Sequence, residues 1–182
     1  MNLPTRLTIV RILLAIVFTG FMLLPDISWA PTVALVIFIV AAITDKIDGY
    51  LARKNNQVTT LGTFLDPIAD KMLVGLALLL LTYSGTVPVW VCAIILVRDY
   101  AVDGMRMVAA RQSVEIPASF LGKFKTTIQM TALIILLLNN IAKNEIIGII
   151  GNIALYLALA LTVFSAVDYI HKGYKKFIAT AN

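Results

Sequence analysis

Charge is what this sequence has least of. Only 14% of its 182 residues are Asp, Glu, Lys or Arg and 60% are apolar, against roughly 25% charged and 45–50% apolar in soluble domains. Water is therefore not the main solvent of this chain, and no stretch of it reads as a soluble domain. Cysteine and histidine are almost absent: Cys92 has no internal disulfide partner, and with His171 as the single histidine there is no zinc pattern. Linkers, repeats and low-complexity tracts are missing too. The first apolar stretch, Leu7 to Leu24, lacks a small-residue cleavage site and is followed by further apolar stretches, so it reads as a permanent helix rather than a signal peptide. The formal charge of +5 is a matter of placement in so apolar a chain, and no nucleic-acid partner is expected from it.

What the sequence does have is long apolar runs. Breaks near Pro25 to Pro31, Arg53 to Leu61, Tyr83 to Pro88, Arg111 to Ser119 and Asn139 to Glu145 divide it into six segments, each long enough to span or nearly span a bilayer. The expected fold is an all-α integral membrane bundle of six transmembrane helices, one domain over residues 1–182, because lipid forces backbone groups to be satisfied within each helix. The short N-terminal stretch Met1 to Arg6, with Pro4 and a charge, is expected to lie along the membrane interface. Counted as outside loops, the first, third and fifth breaks hold Lys143 as their only Lys or Arg. Arg6, Arg53, Lys54, Arg106, Arg111, Lys123, Lys125, Lys172, Lys175 and Lys176 fall on the other face. The positive-inside rule makes that face, with both termini, cytoplasmic.

Four carboxylates, Asp45, Asp48, Asp66 and Asp70, stand near the cytoplasmic ends of the second and third spans, where ionisable groups are costly unless paired or functional. At about 100° per residue, Asp45, Asp48, Gly49 and Ala52 share one stripe of a helix, and Gly62, Asp66 and Asp70 share one stripe of the next. The small residues among them let two backbones approach and leave room for a ligand, and Pro67 is expected in the first turns of its helix, where proline is tolerated. Four like charges this close repel unless something positive sits between them. Oxygen-only ligands suit hard ions such as magnesium, manganese or calcium, and four carboxylates can hold two. The competing reading is that Lys46, Arg53 and Lys71 neutralise the acids as interfacial salt bridges.

The run Asp45-x-x-Asp48-Gly49-x-x-Ala52-Arg53, then Gly62, then Asp66-x-x-x-Asp70 resembles the signature of the CDP-alcohol phosphotransferases at every specified position. The resemblance implies a six-helix membrane enzyme, usually a homodimer, with its active site at the cytoplasmic membrane face and two divalent metal ions, magnesium or manganese, as cofactors. Carried over residue by residue, it makes Asp45, Asp48, Asp66 and Asp70 metal ligands and Asp70 also the general base. Arg53 would grip the phosphates of the CDP group, and Asp48, Gly49, Ala52 and Gly62 would lie against the nucleotide.

Around the fourth and fifth spans the chain is basic, with Arg98, Arg106, Arg111, Lys123 and Lys125. That points to an anionic acceptor, since both side chains bind phosphate by charge-assisted hydrogen bonds. Arg111 anchoring a helix end and Arg98 pairing with Asp99 or Asp103 are the structural alternatives. The segments from Asn2 to Arg11, from Arg98 to Arg106 and from Gly122 to Met130 resemble one branch of the family, the bacterial phosphatidylglycerophosphate synthases, with Thr5 and Asp99 standing where many members have Asn and Glu. This implies transfer of a phosphatidyl group from CDP-diacylglycerol to sn-glycerol 3-phosphate in the cell inner (cytoplasmic) membrane, with Arg106, Lys123 and Lys125 on the acceptor phosphate. Serine, inositol phosphate or phosphatidylglycerol are the alternative acceptors. A cation transporter is the rival of another class, disfavoured because the acids cluster near one face and no discontinuous-helix repeat is visible.

Overall fold

The computed structural model describes residues 3–24, 26–54, 60–111 and 120–181, with side chains described at 6–24, 26–44, 65, 68–105, 107–108 and 124–166. Six helices follow one another: α1 (Leu3–Met22), α2 (Ala30–Lys54), α3 (Thr60–Tyr83), α4 (Val89–Arg111), α5 (Phe120–Ala142) and α6 (Glu145–Ala181). The described residues contain no strand. The helix count is the one the breaks predict. Two details differ. No break separates the N-terminal stretch from the first span, because α1 already runs from Leu3. Pro67 is the eighth residue of α3 rather than a first-turn residue, so the helix runs on past a ring that removes one intrahelical bond, that to the carbonyl of Thr63.

Local chemistry stops the helices at the end remote from the aspartates. After α3 the chain turns at Gly85, whose φ of 75° is open to glycine at little cost. The bonds Thr86 N–H to Leu81 C=O (2.9 Å) and Gly85 N–H to Thr82 C=O (3.0 Å) close a Schellman turn there. Between α5 and α6 only Lys143 and Asn144 lie outside the helices. Lys143 takes the left-handed conformation (φ 47°), and the Asn144 side-chain oxygen accepts the N–H groups of Ile146 (2.9 Å) and Ile147 (3.3 Å), capping α6.

That tight connection forces α5 and α6 into an antiparallel pair, the most extensive packing in the molecule; α1 packs on both α2 and α3, and α4 bridges α3 and α6. The core is apolar through the middle of the bundle, from Phe18 and Phe38 through Leu78, Leu81 and Ile95 to Leu133, Leu136 and Leu155. The outer surface is apolar as well: Leu13, Ile16, Val36, Leu79, Ile153 and Phe164 all face outward. Contiguous exposed apolar surface of this kind marks contact with lipid or with another protein. Phe124–Ala142 and Glu145–Ala166 are long and apolar enough to cross a membrane. With 37 residues, α6 reaches about 55 Å, well beyond a hydrocarbon core of about 30 Å.

A polar interior at the aspartate end

The two helices that carry the acidic stripes meet at the same end of the bundle. Asp45, Asp48, Gly49, Ala52 and Arg53 occupy the last three turns of α2, and Gly62, Asp66 and Asp70 the first three turns of α3. Of these side chains only that of Asp70 is among the described residues; it is half-buried and engaged in polar contact. The side chains of Asp45, Asp48, Gly49, Ala52, Arg53, Gly62 and Asp66, and those of Arg106 and Lys123, lie outside the described set. Within that set no three acidic, His or Cys side chains converge.

Buried polar groups are concentrated in this same part of the molecule: Thr8 and Arg11 on α1, Asp99 on α4, Lys125 and Gln129 on α5, Thr162 and Ser165 on α6. At their centre is Asp99. Its Oδ1 accepts the Lys125 ammonium at 2.6 Å and the Arg98 guanidinium at 2.9 Å, and its Oδ2 accepts Lys125 again at 2.9 Å. Lys71 approaches to 3.9 Å and pairs with Asp103 at 3.5 Å. Arg98 continues the chain to α6 by donating to the Thr162 carbonyl (3.1 Å) and to the Ser165 hydroxyl (2.7 Å). One carboxylate thus gathers cations from α3, α4 and α5, and through Arg98 it ties in α6. Among the described residues these ion pairs join three cations, Lys71, Arg98 and Lys125, to two carboxylates, Asp99 and Asp103.

Several sequence expectations acquire a place here. Of the two partners open to Arg98, the structure selects Asp99. Lys71, weighed as a counter-ion for the signature aspartates, lies 3.9 Å from Asp99 and 3.5 Å from Asp103 on α4. Lys125 is not on an open surface; its side chain is 4% exposed and its ammonium lies against Asp99. A buried ammonium with three donors, two of them aimed at one carboxylate, retains capacity for an anion approaching from its other side. What the sequence did not single out are Thr162 and Ser165, and Gln129 entered only within the segment from Gly122 to Met130. Polar residues in an otherwise apolar helix were the available signal.

The CDP-alcohol phosphatidyltransferase family model matches residues 1–164. The chain belongs to this family. Among its relatives, proteins named CDP-diacylglycerol--glycerol-3-phosphate 3-phosphatidyltransferase are 38% identical in Bacillus subtilis (96% of each chain covered) and 41% identical in Rickettsia bellii (97% of each). The protein of that name from Shigella flexneri is 38% identical over 93% of each chain. As a CDP-alcohol phosphatidyltransferase, the chain carries the signature on α2 and α3, and the basic cluster adjoins it through the neighbours Asp70 and Lys71.

Proposed function

We propose that this chain transfers the phosphatidyl group of CDP-diacylglycerol to sn-glycerol 3-phosphate, releasing CMP and forming phosphatidylglycerophosphate. One observation supports it most directly. Lys71, the residue after Asp70, reaches Asp99, which holds Lys125, so the acidic signature adjoins a cluster of lysine and arginine side chains suited to a phosphorylated acceptor. The likeness to relatives bearing the phosphatidyltransferase name points the same way.

In this reading the chain is a single membrane domain that crosses the cytoplasmic membrane six times, with both termini and the site on the cytoplasmic side, and works as a homodimer. The four signature aspartates supply oxygen ligands only, a donor set that fits two magnesium or manganese ions. Such ions would neutralise the diphosphate during displacement. Asp45, Asp48, Asp66 and Asp70 would hold them, while Arg53 grips the CDP phosphates and Asp48, Gly49, Ala52 and Gly62 accommodate the nucleotide. Asp70 takes the proton from the primary hydroxyl of the acceptor as that oxygen attacks the lipid-side phosphorus. Arg106, Lys123 and Lys125 hold the acceptor phosphate, and the acyl chains stay in the bilayer.

The test is an acceptor screen with purified protein, CDP-diacylglycerol and magnesium or manganese, reading CMP release. Glycerol 3-phosphate should give the fastest release. Faster release with serine, inositol phosphate or phosphatidylglycerol would assign a different acceptor.

A further inference from the structure

Gln129 is a buried neutral polar residue on α5. It is 2% exposed, yet neither its amide nitrogen nor its amide oxygen finds a hydrogen-bond partner among the described residues. The amide group of a glutamine offers two donors and an acceptor, and leaving a buried polar group unsatisfied costs about 1–3 kcal/mol. Inside an apolar bundle the usual remedy is a bond to a neighbouring helix, and here none is made. An orphan of this kind calls for an occupant absent from the protein itself.

Its position narrows the occupant. Gln129 follows Lys125 by four residues on α5, and both are buried, so they stack along one helix face about 6 Å apart. α5 also packs against α3, the helix of Asp70. A ligand held at Lys125 by an anionic group and reaching along this face would meet an amide able both to donate and to accept. A hydroxyl is the partner that uses both functions. The acceptor proposed above carries a phosphate at one end of a three-carbon chain and two hydroxyls beyond it, and the terminal one is consumed in the reaction.

We propose that Gln129 is a specificity-determining residue that binds the middle hydroxyl of the acceptor while its phosphate lies at Lys125. The inference rests on the proposed acceptor class, and the experiment separates the two. Wild-type protein and Gln129→Met, which preserves side-chain length, are compared with sn-glycerol 3-phosphate and with 3-hydroxypropyl phosphate, which keeps the attacking hydroxyl and lacks the middle one. Wild type should favour glycerol phosphate at least about tenfold in kcat/KM, since a site built around a hydroxyl discriminates strongly against its loss. Gln129→Met should use both within about twofold, through a raised KM for glycerol phosphate, with the KM for CDP-diacylglycerol unchanged and thermal stability equal or higher, because an apolar side chain removes the orphan. Gln129→Leu, scored in the same way, guards against a folding defect peculiar to methionine. Retention of the wild-type preference in the variants, no preference in wild type, or equal loss on both acceptors with lowered stability each overturns the role of Gln129. A wild type inactive with both compounds but active with an unphosphorylated alcohol overturns the acceptor reading itself.

Discussion

Replacing Asp99 by Asn keeps the shape of the side chain and removes one charge from a site where charges can hardly reach water. Lys125 then loses its only ionic partner among the described residues, and its side chain is 4% exposed. Arg98 is less affected, because it keeps the Thr162 carbonyl and the Ser165 hydroxyl. Stranding one member of a buried ion pair costs about 3–5 kcal/mol. Lys125→Met is milder: Asp99 retains Arg98 at 2.9 Å and Lys71 at 3.9 Å, and the loss is that of charge-assisted bonds, about 1.5–3 kcal/mol. The double variant removes both charges together and should lie close to Lys125→Met alone, so the coupling energy should be about as large as the Asp99→Asn loss itself, about 3–5 kcal/mol.

The molecule carries its own reporter for this measurement. Cys92 is the single cysteine and is buried, so a thiol-reactive fluorophore stays dark until the bundle opens on heating. At about 2–4 °C per kcal/mol for a chain of this size, Asp99→Asn should lower the midpoint by roughly 6–20 °C, and Lys125→Met by clearly less. Equal shifts for the two single variants, or strictly additive shifts in the double one, would refute the idea that Asp99 neutralises a charge that nothing else reaches.

Asp70→Asn should lower kcat by about 10²- to 10⁴-fold, as expected for loss of a general base, with little change in midpoint; near-wild-type CMP release would remove Asp70 from that role. A chelator should abolish turnover, and magnesium or manganese should restore it, in keeping with an all-oxygen donor set; full activity in the chelator would speak against the metal ions. At Gly151 an added Cβ would fall 2.9 Å from Cγ of the fully buried Leu136, so Gly151→Ala should lose about 1–2 kcal/mol where α5 and α6 touch, whereas Gly20→Ala meets nothing within 4 Å and should gain up to about 1 kcal/mol.

Helix number was legible because each break concentrates residues that end helices, and the Asn139 to Glu145 break narrows in the structure to Lys143 and Asn144. The acidic stripes were legible because helical periodicity is local. The Asp99 cluster was not. Lys125 is 26 positions from Asp99 and Ser165 is 67 from Arg98, and no periodic pattern within one helix encodes which face of α4 meets α5 or α6. Arg98 and Asp99 are sequence neighbours, a spacing at which helical side chains do not ordinarily face each other, yet here they bond at 2.9 Å. Gln129 looked like one more polar residue near a helix end until its burial and lack of partners were known.

The signature aspartates and the Asp99 cluster meet on α3, and this arrangement has a physical consequence for the proposed reaction. Four aspartates on α2 and α3 would repel a phosphorylated acceptor unless cations covered them, whereas Lys71, Arg98 and Lys125 on α3, α4 and α5 would attract it. Two anionic substrates would then be sorted by charge before any contact between them, the diphosphate towards the aspartates with their metals and the acceptor towards Lys125. Asp70 and Lys71 stand on the seam, adjacent in sequence but with Lys71 turned to Asp103 and Asp99. A lysine ammonium folded back onto Asp70 would compete with both the metals and the transferred proton. Asp99 and Asp103 therefore do more than hold helices together: they draw the Lys71 ammonium towards α4.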